Sequence, residues 1–352
     1  MDPVKLSRSG DTIATHQRVR ESGCRCIIPE AVIVSAEYIS NTGVVSSAEF
    51  DAFGPWIEVL RSPESVPRLY AGYPIDFEAT RLVLKVPRNL SRRDAHPSMH
   101  LYDHILIVGD TELTVLSRTG GDRGDANFTE SRIGFAAIAA ITDSVNLLDG
   151  ILTVQTVDGQ THTVIYNGSS EKVIAGFIDQ VREQIRRSRP APLPTVRGAS
   201  RPMTAIATLD LDDLGKKDVS LVTSFRDLVR ADAGLRLLAA HGRSIVASSG
   251  DALSQAAHLA YPATLHGIVV CANNDELQLL SRRDWIVRRG APVVSRVRTV
   301  IPFHTLSGVT VAPHPQYQNV DVVTLGAGSA TVVVVVPRDS LAERALVDFA
   351  PR

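Results

Sequence analysis

The residues with the plainest chemical potential are cations gathered in one short stretch: Lys85, Arg88, Arg92 and Arg93, followed by His96 and His100. Ammonium and guanidinium groups at this density can neutralise phosphate oxygens, and arginine can do so through two parallel hydrogen bonds. The chemistry implied is capture of a phosphorylated or anionic ligand. Asp94 lies inside the cluster and dilutes its charge, and a solvated loop is the plainer reading of so short a run. A second basic tract, Arg182, Arg186, Arg187, Arg189, Arg197 and Arg201, is interleaved with prolines. Near an anionic membrane each such cation could contribute about 1 kcal/mol. Cations equally suit a helix C-terminus and a soluble, proline-rich linker.

Metal and catalytic patterns are weaker. Cys24-Arg25-Cys26, with His16 as a third donor, lacks the second ligand pair that a structural zinc site needs. Cys271 lies in an apolar run and reads as a small buried hydrophobe. Asp210, Asp212 and Asp213 lack the glycine and distal glutamate of a calcium loop, and suit the acidic start of a helix. No Gly-x-Ser-x-Gly elbow, P-loop or His-Glu-x-x-His occurs, and His104, His162, His241, His258 and His304 stand singly. The expectation is a protein with no catalytic residues, no metal and no cofactor.

The elements around these residues read mainly as β. Arg81 to Val86 forms a strand stopped by Pro87, with the basic loop after it. Ile105 to Val108 and Thr111 to Val115 flank a turn at Gly109-Asp110. Arg132 to Thr142 is a further strand region, and Ile151 to Val157 and Thr161 to Tyr166 flank Asp158-Gly159-Gln160. Ser169 or Ser170 then caps a helix whose stripe is Val173, Ile174, Phe177, Ile178, Val181 and Ile185. Beyond the linker, Val219 to Ala240 and Leu253 to Leu259 have helical patterns, and strands resume at Leu265. Val320 to Thr324 and Ala330 to Val336 form the last hairpin, and Asp339 caps a short final helix.

This order appears twice. Leu101–Arg118 laid on Leu265–Arg282 without a gap shares Leu101/Leu265, Glu112/Glu276, Leu113/Leu277 and Leu116-Ser117-Arg118/Leu280-Ser281-Arg282, six identities in eighteen positions. The correspondence continues through Phe135/Phe303 and Gly159/Gly328, as a duplicated unit requires.

Phe135-Ala136-Ala137-Ile138 into Ile141, then Leu148-Asp149-Gly150-Ile151, then Asp158-Gly159, resembles the middle of a bacterial pleckstrin-homology (PH)-like domain of the GRAM type. The resemblance covers about Arg81 to Arg187 and about Leu265 to Phe349. It implies an α+β, mainly β chain with two small barrels, each of about six or seven antiparallel strands closed by a C-terminal helix. It also implies binding of lipid, peptide or protein, with self-association among bacterial members, and it makes the loop holding Lys85, Arg88, Arg92 and Arg93 the place for a phosphorylated lipid. Reversing Arg92 and Arg93 to Glu is expected to leave the fold untouched.

Composition sets the outer bounds. With 352 residues, 44% hydrophobic, 21% charged and a formal charge of -1, the chain has the makeup of a globular protein without a basic excess for nucleic acid. The longest apolar runs fall short of a membrane span. The expected layout is a flexible tail to residue 20, a first domain over 21–188 with an N-terminal extension, a linker over 189–205 and a second domain over 206–352 with a helical lead-in. The expected function is non-catalytic, cytoplasmic binding of a protein partner or of itself. The alternative is a peripheral module at the inner membrane face that binds anionic lipid through residues 85–93.

Overall fold

A computed structural model describes residues 48–121, 126–188, 209–250, 262–288 and 294–350, which belong to one compact unit. The tail, Cys24-Arg25-Cys26 with His16, the linker, the helix expected over Leu253 to Leu259, and His258 lie outside the described residues.

After a short helix α1 (Ala48–Ala52), an antiparallel meander runs β1 (Glu58–Val59), β2 (Leu82–Pro87), β3 (Tyr102–Val108), β4 (Glu112–Thr119) and β5 (Asn127–Gly134), forming a five-stranded sheet in chain order. The single strand region expected over Arg132 to Thr142 is two strands, because a 3₁₀ turn at Phe135–Ala137 redirects the chain and buries Phe135 completely. Three strands follow, β6 (Ile138–Asn146), β7 (Asp149–Thr156) and β8 (Thr161–Asn167), and then α2 (Glu171–Ser188). The turn before α2 is capped by Asn167, whose side chain accepts from the Ser169 amide; the Ser170 hydroxyl instead accepts from the distant Ile57 amide at 3.0 Å.

The second half opens with α3 (Leu211–Leu214) and α4 (Val219–Ala231). The helix expected to reach Ala240 stops at Ala231, where Asp232 turns the chain and accepts the Gly234 amide. Leucines and alanines beyond it form β9 (Arg236–His241), because pairing along β12 overrides their helical propensity. The second set of strands therefore begins before Leu265. It continues with β10 (Ser244–Val246), β11 (Ala263–Leu265), β12 (Ile268–Ala272), β13 (Glu276–Ser281), β14 (Ile286–Arg288) and β15 (Arg296–Pro302). β16 (Leu306–Pro313), β17 (Val320–Ala327), β18 (Ala330–Pro337) and α5 (Leu341–Val347) complete it. Ser340, not Asp339, caps α5 by accepting the Glu343 amide.

The two halves share seven strands and a closing helix, to which the first half adds β1 and the second adds β10, β11 and β14, a separate three-stranded sheet. Each offers four strands (β2 to β5; β9, β12, β13 and β15), then three (β6 to β8; β16 to β18), then a helix. The ungapped alignment sets the end of β3 on the end of β12 and the start of β4, Glu112, on the start of β13, Glu276. Phe135 and Phe303 hold the same buried corner, and a bulge follows each at the same distance, between Ile138 and Ala140 and between Leu306 and Gly308. Gly159 and Gly328 turn the last hairpins with φ of 89° and 63°, a region glycine enters without strain. These two turns touch: the Ser329 amide donates to the Val157 carbonyl at 2.7 Å, and a Cβ on Gly328 would lie 2.3 Å from that oxygen.

Closed barrels were expected; among the described residues all four sheets stay open. The physical reason lies at β6, whose free edge is taken by β15 of the other half. Ile141 faces Val300, Thr142 faces Thr299, Asp143 faces Arg298, Ser144 faces Val297 and Val145 faces Arg296, giving one seven-stranded sheet in the order β8-β7-β6-β15-β13-β12-β9. The cores exchange residues across this seam. Val300 joins the core around Phe135, Phe177 and Val181, and Ala140 joins the core around Phe303, Leu346 and Phe349. Phe53, Leu60 and Tyr70 of the N-terminal segment cover the outer face of the five-stranded sheet, against Val83, Tyr102 and Ile105.

Candidate interaction surface

The basic loop joins β2 to β3, and most of its cations are engaged by partners within the chain. Lys85 is 8% exposed, lies opposite Glu58 in the ladder, reaches its carboxylate at 3.0 Å and sits 4.9 Å from the centre of the Tyr102 ring. Burial works against its charge, but the hydrogen bonds and charges of Glu58 and Tyr102 together outweigh burial and hold the ammonium above its usual range. Arg88 lies 3.8 Å from Asp103. Arg92 covers the Phe50 ring and donates to the carbonyls of Phe50 and Phe53, the latter at 3.0 Å. Arg92 stays exposed while making these bonds, and Arg93 projects with its side chain 88% exposed and 3.9 Å from Asp94. The four residues thus fasten the N-terminal segment to the sheet more than they form one cationic mouth. Arg92 in particular is a fastening, so its reversal to Glu is not the neutral surface change expected.

The second basic tract is likewise dispersed. Arg182 is 7% exposed and is the hub of a network between the halves: Nε donates to Glu276 of β13 at 2.7 Å, Nη1 to Asp179 at 2.8 Å and Nη2 to Asp232 at 3.0 Å. Burial alone would lower its affinity for the proton, and the facing carboxylates raise it. Arg186 and Arg187 pair with Glu183 on the same helix; Arg189, Arg197 and Arg201 lie outside the described residues. A second buried ion group joins α4 to the strands: Asp218 accepts from Arg282 and Arg243, each at 2.8 Å. Burial pushes the Asp218 carboxyl up, but these two guanidinium groups hold it below the usual range.

A cavity of about 170 Å³ opens beside the seam, between α2 and α4, with Asp143, Arg296 and Arg298 in its floor. Burial pushes the Asp143 carboxyl up to about 6, against the Tyr166 hydroxyl that donates to it at 2.6 Å and the charge of Arg298. The arginines of this floor have partners: Arg296 pairs with Glu171 of the wall, and Arg298 donates to Gln278 at 3.1 Å and Asp179 at 3.2 Å. Cys271 is fully buried, and burial pushes its thiol up to about 12, as befits an inert packed group. His104 bonds Ser117, His304 faces the Ala136 carbonyl, and among the described residues no group of three potential ligands could hold a metal ion. No described helix is long and apolar enough to cross a membrane.

Sequence reasoning missed the most unusual surface. The hairpin between β6 and β7 turns through Leu147 and Leu148, which are 71% and 65% exposed, and Leu147 has φ 55°. A leucine in the left-handed region costs about 1–2 kcal/mol that glycine would avoid. Nothing in the fold compensates for the exposed side chains. The tip is nevertheless held firmly. The Gly168 amide donates to the Leu148 carbonyl at 2.9 Å, and Arg283 from the second half donates to Ser144 Oγ at 2.9 Å, to the Asp149 carbonyl at 3.0 Å and to the Asp149 carboxylate. Trp56, 59% exposed, adjoins Ile57, whose amide is held by Ser170 two residues beyond Gly168. The available signal was Asn146-Leu147-Leu148-Asp149 itself: a two-residue turn favours Asn and Gly, and two leucines there are out of place.

Comparison with protein-family models, curated proteins and solved structures finds no match for this chain.

Proposed function

We propose that the chain is a non-catalytic interaction protein, built from two modules of the pleckstrin-homology type, that binds a protein partner through the apolar tip at Leu147 and Leu148. The observation that carries this reading is the conformation of Leu147. A bulky side chain is kept exposed, in a backbone region it disfavours, on a hairpin anchored from both halves. Local strain retained on a rigid support points to use of the surface. Burying two leucines against a partner returns about 1.5–3 kcal/mol each, and a preordered hairpin has little conformational entropy to lose on binding. The modular reading is supported by the four-plus-three strand order and terminal helix in each half, together with the resemblance around Phe135 to Ile141. A protein is favoured over an anionic membrane because Lys85, Arg88 and Arg92 are engaged by partners within the chain and the tip itself is followed by Asp149.

The test is a photo-crosslinking residue placed at Leu148, with a second at Ile245, which is 76% exposed elsewhere, as the control. A discrete protein adduct from the native cells at position 148 and none at 245 is the expected result. Equal adducts at both, or none at 148, refute it. Salt-sensitive sedimentation with anionic liposomes that is lost in Arg93→Glu would transfer the assignment to the lipid reading.

A further inference from the structure

We propose that the cavity between α2 and α4 binds a small zwitterion, an apolar α-amino acid, with its ammonium on Asp143, its carboxylate on Arg298 and Arg296, and its side chain against α4. The site is separate from the exposed hairpin tip and gives the protein a small-molecule ligand besides its protein partner. Two opposite charges that do not meet carry the inference. Asp143 and Arg298 stand opposite each other in the β6–β15 ladder, so their side chains leave the sheet on the same face, and both line the cavity. Yet they form no ion pair. Asp143 accepts the Tyr166 hydroxyl at Oδ1, and Arg298 turns to Gln278 through Nε and to Asp179 through Nη2. Among the described residues Oδ2 of Asp143 and Nη1 of Arg298 thus have no partner, nor do Nε and Nη1 of Arg296, which meets Glu171 through Nη2 alone. The described side-chain polar atoms that are both sealed and unpartnered belong to His100, His241 and His266, so the unused groups at this floor remain open.

The protein leaves both charges short of compensation. Burial pushes the Asp143 carboxyl up in spite of Tyr166 and the nearby arginines. Burial and the charge of Arg182 hold the Arg298 guanidinium below its usual range in spite of Asp179 and Glu276. A buried charge with too few partners gains from an incoming group of opposite sign. An α-amino acid brings both signs on one carbon. The lining also speaks for a ligand without net charge, because Lys172, Arg296 and Arg298 balance Asp143, Glu171 and Asp227. Leu221 and Leu228 of α4 and Leu280 of β13 form the apolar wall. The volume of about 170 Å³ exceeds the roughly 150 Å³ of a dry cavity that takes a benzene ring, so a branched aliphatic or single-ring side chain fits. Binding is linked to pH through Asp143. It is surrounded by Tyr166 of β8, Glu171 and Lys172 of α2, Asp227 of α4, and Arg296 and Arg298 of β15, its neighbour on β7 is the apolar Leu152, and no histidine lines the cavity. The ammonium pairs with the ionised carboxylate, so affinity is full above the folded pKa of Asp143 and falls as pH drops through it.

The test is calorimetric titration of the full-length chain with L-leucine, L-valine and L-phenylalanine as probes. L-Leucine should bind saturably at pH 7.5. The probes 4-methylpentanoate, which lacks the ammonium, and isoamylamine, which lacks the carboxylate, should each bind about tenfold or more weakly. Lowering the pH to 5 should weaken L-leucine about tenfold, since a carboxyl with a pKa of about 6 is then about nine-tenths protonated. Asp143→Asn should bind L-leucine about tenfold or more weakly at pH 7.5 and lose the pH dependence. Because the same change is expected to raise stability, misfolding does not account for that loss. Ser224→Phe, which puts a ring into the cavity and leaves every charge in place, should abolish binding. The proposal is overturned if none of the three amino acids saturates the protein up to about 10 mM. It is also overturned if 4-methylpentanoate or isoamylamine binds as well as L-leucine, or if Asp143→Asn or Ser224→Phe leaves the affinity for L-leucine unchanged.

Discussion

Asp143→Asn should leave stability unchanged below the ordinary carboxylate pKa and stabilise the protein almost fully from about pH 6 upward. The carboxyl sits at the seam opposite Arg298 in the β6–β15 ladder, where burial raises its pKa from 3.8 to about 6. The sign follows from linkage: a carboxyl whose folded pKa exceeds its unfolded value binds more protons when folded, so it costs nothing below the unfolded pKa, costs increasingly more as pH rises between the two values and carries its full cost above the folded one. A rise from 3.8 to about 6 corresponds to about 3 kcal/mol at about 1.36 kcal/mol per unit. Asparagine keeps the acceptor for the Tyr166 hydroxyl, which donates at 2.6 Å, and removes the titrating charge. Urea unfolding at pH 4, 6 and 8 should therefore show a gain of about 0.5 kcal/mol at pH 4 and nearly the full gain, about 2–3 kcal/mol, at both pH 6 and pH 8. An equal effect at pH 4 and pH 8, or a loss at pH 8, would mean that the seam stabilises the ionised carboxylate and that burial is not the dominant influence there.

Arg182→Met should cost about 3–5 kcal/mol in denaturant unfolding, because Glu276, 3% exposed, is left buried beside an apolar side chain. Arg182→Met with Glu276→Met should cost less than the sum of the two single changes; strict additivity would show that the pair is not coupled. Phe177→Ala, at 1% exposure in the stripe of α2, should cost about 3–5 kcal/mol, and a loss below about 1 kcal/mol would show that α2 does not close the first core. Leu147→Gly should raise stability by about 0.5–1 kcal/mol by relieving the left-handed backbone while abolishing the adduct at position 148, and a destabilised variant would remove the strain argument. Arg93→Glu should leave stability and weak liposome binding unchanged, whereas Arg92→Glu should lower the melting temperature by releasing the Phe50 and Phe53 carbonyls; equal effects of the two would show that Arg92 fastens nothing.

Local periodicity carried much of this architecture. The hairpins at Gly109-Asp110, Asp158-Gly159 and Gly328, the stripe of α2 and the correspondence of Leu101–Arg118 with Leu265–Arg282 were readable because they depend on residues close together in the chain. A turn needs a glycine at one position, and an amphipathic helix needs an apolar residue every third or fourth place. Tertiary structure decided what lay beyond that range. Arg236 to Ala240 has helical composition yet becomes strand because β12 offers a ladder, and Arg182 and Lys85 look like surface cations yet are consumed by carboxylates at Glu276 and Glu58. The seam itself joins Thr142 to Thr299, 157 positions apart, and it opened the sheets that the resemblance would have closed. No local pattern encodes which of several compatible strand edges will meet, because main-chain hydrogen bonds are alike at every edge. The selection comes from the side chains that only the folded arrangement brings together.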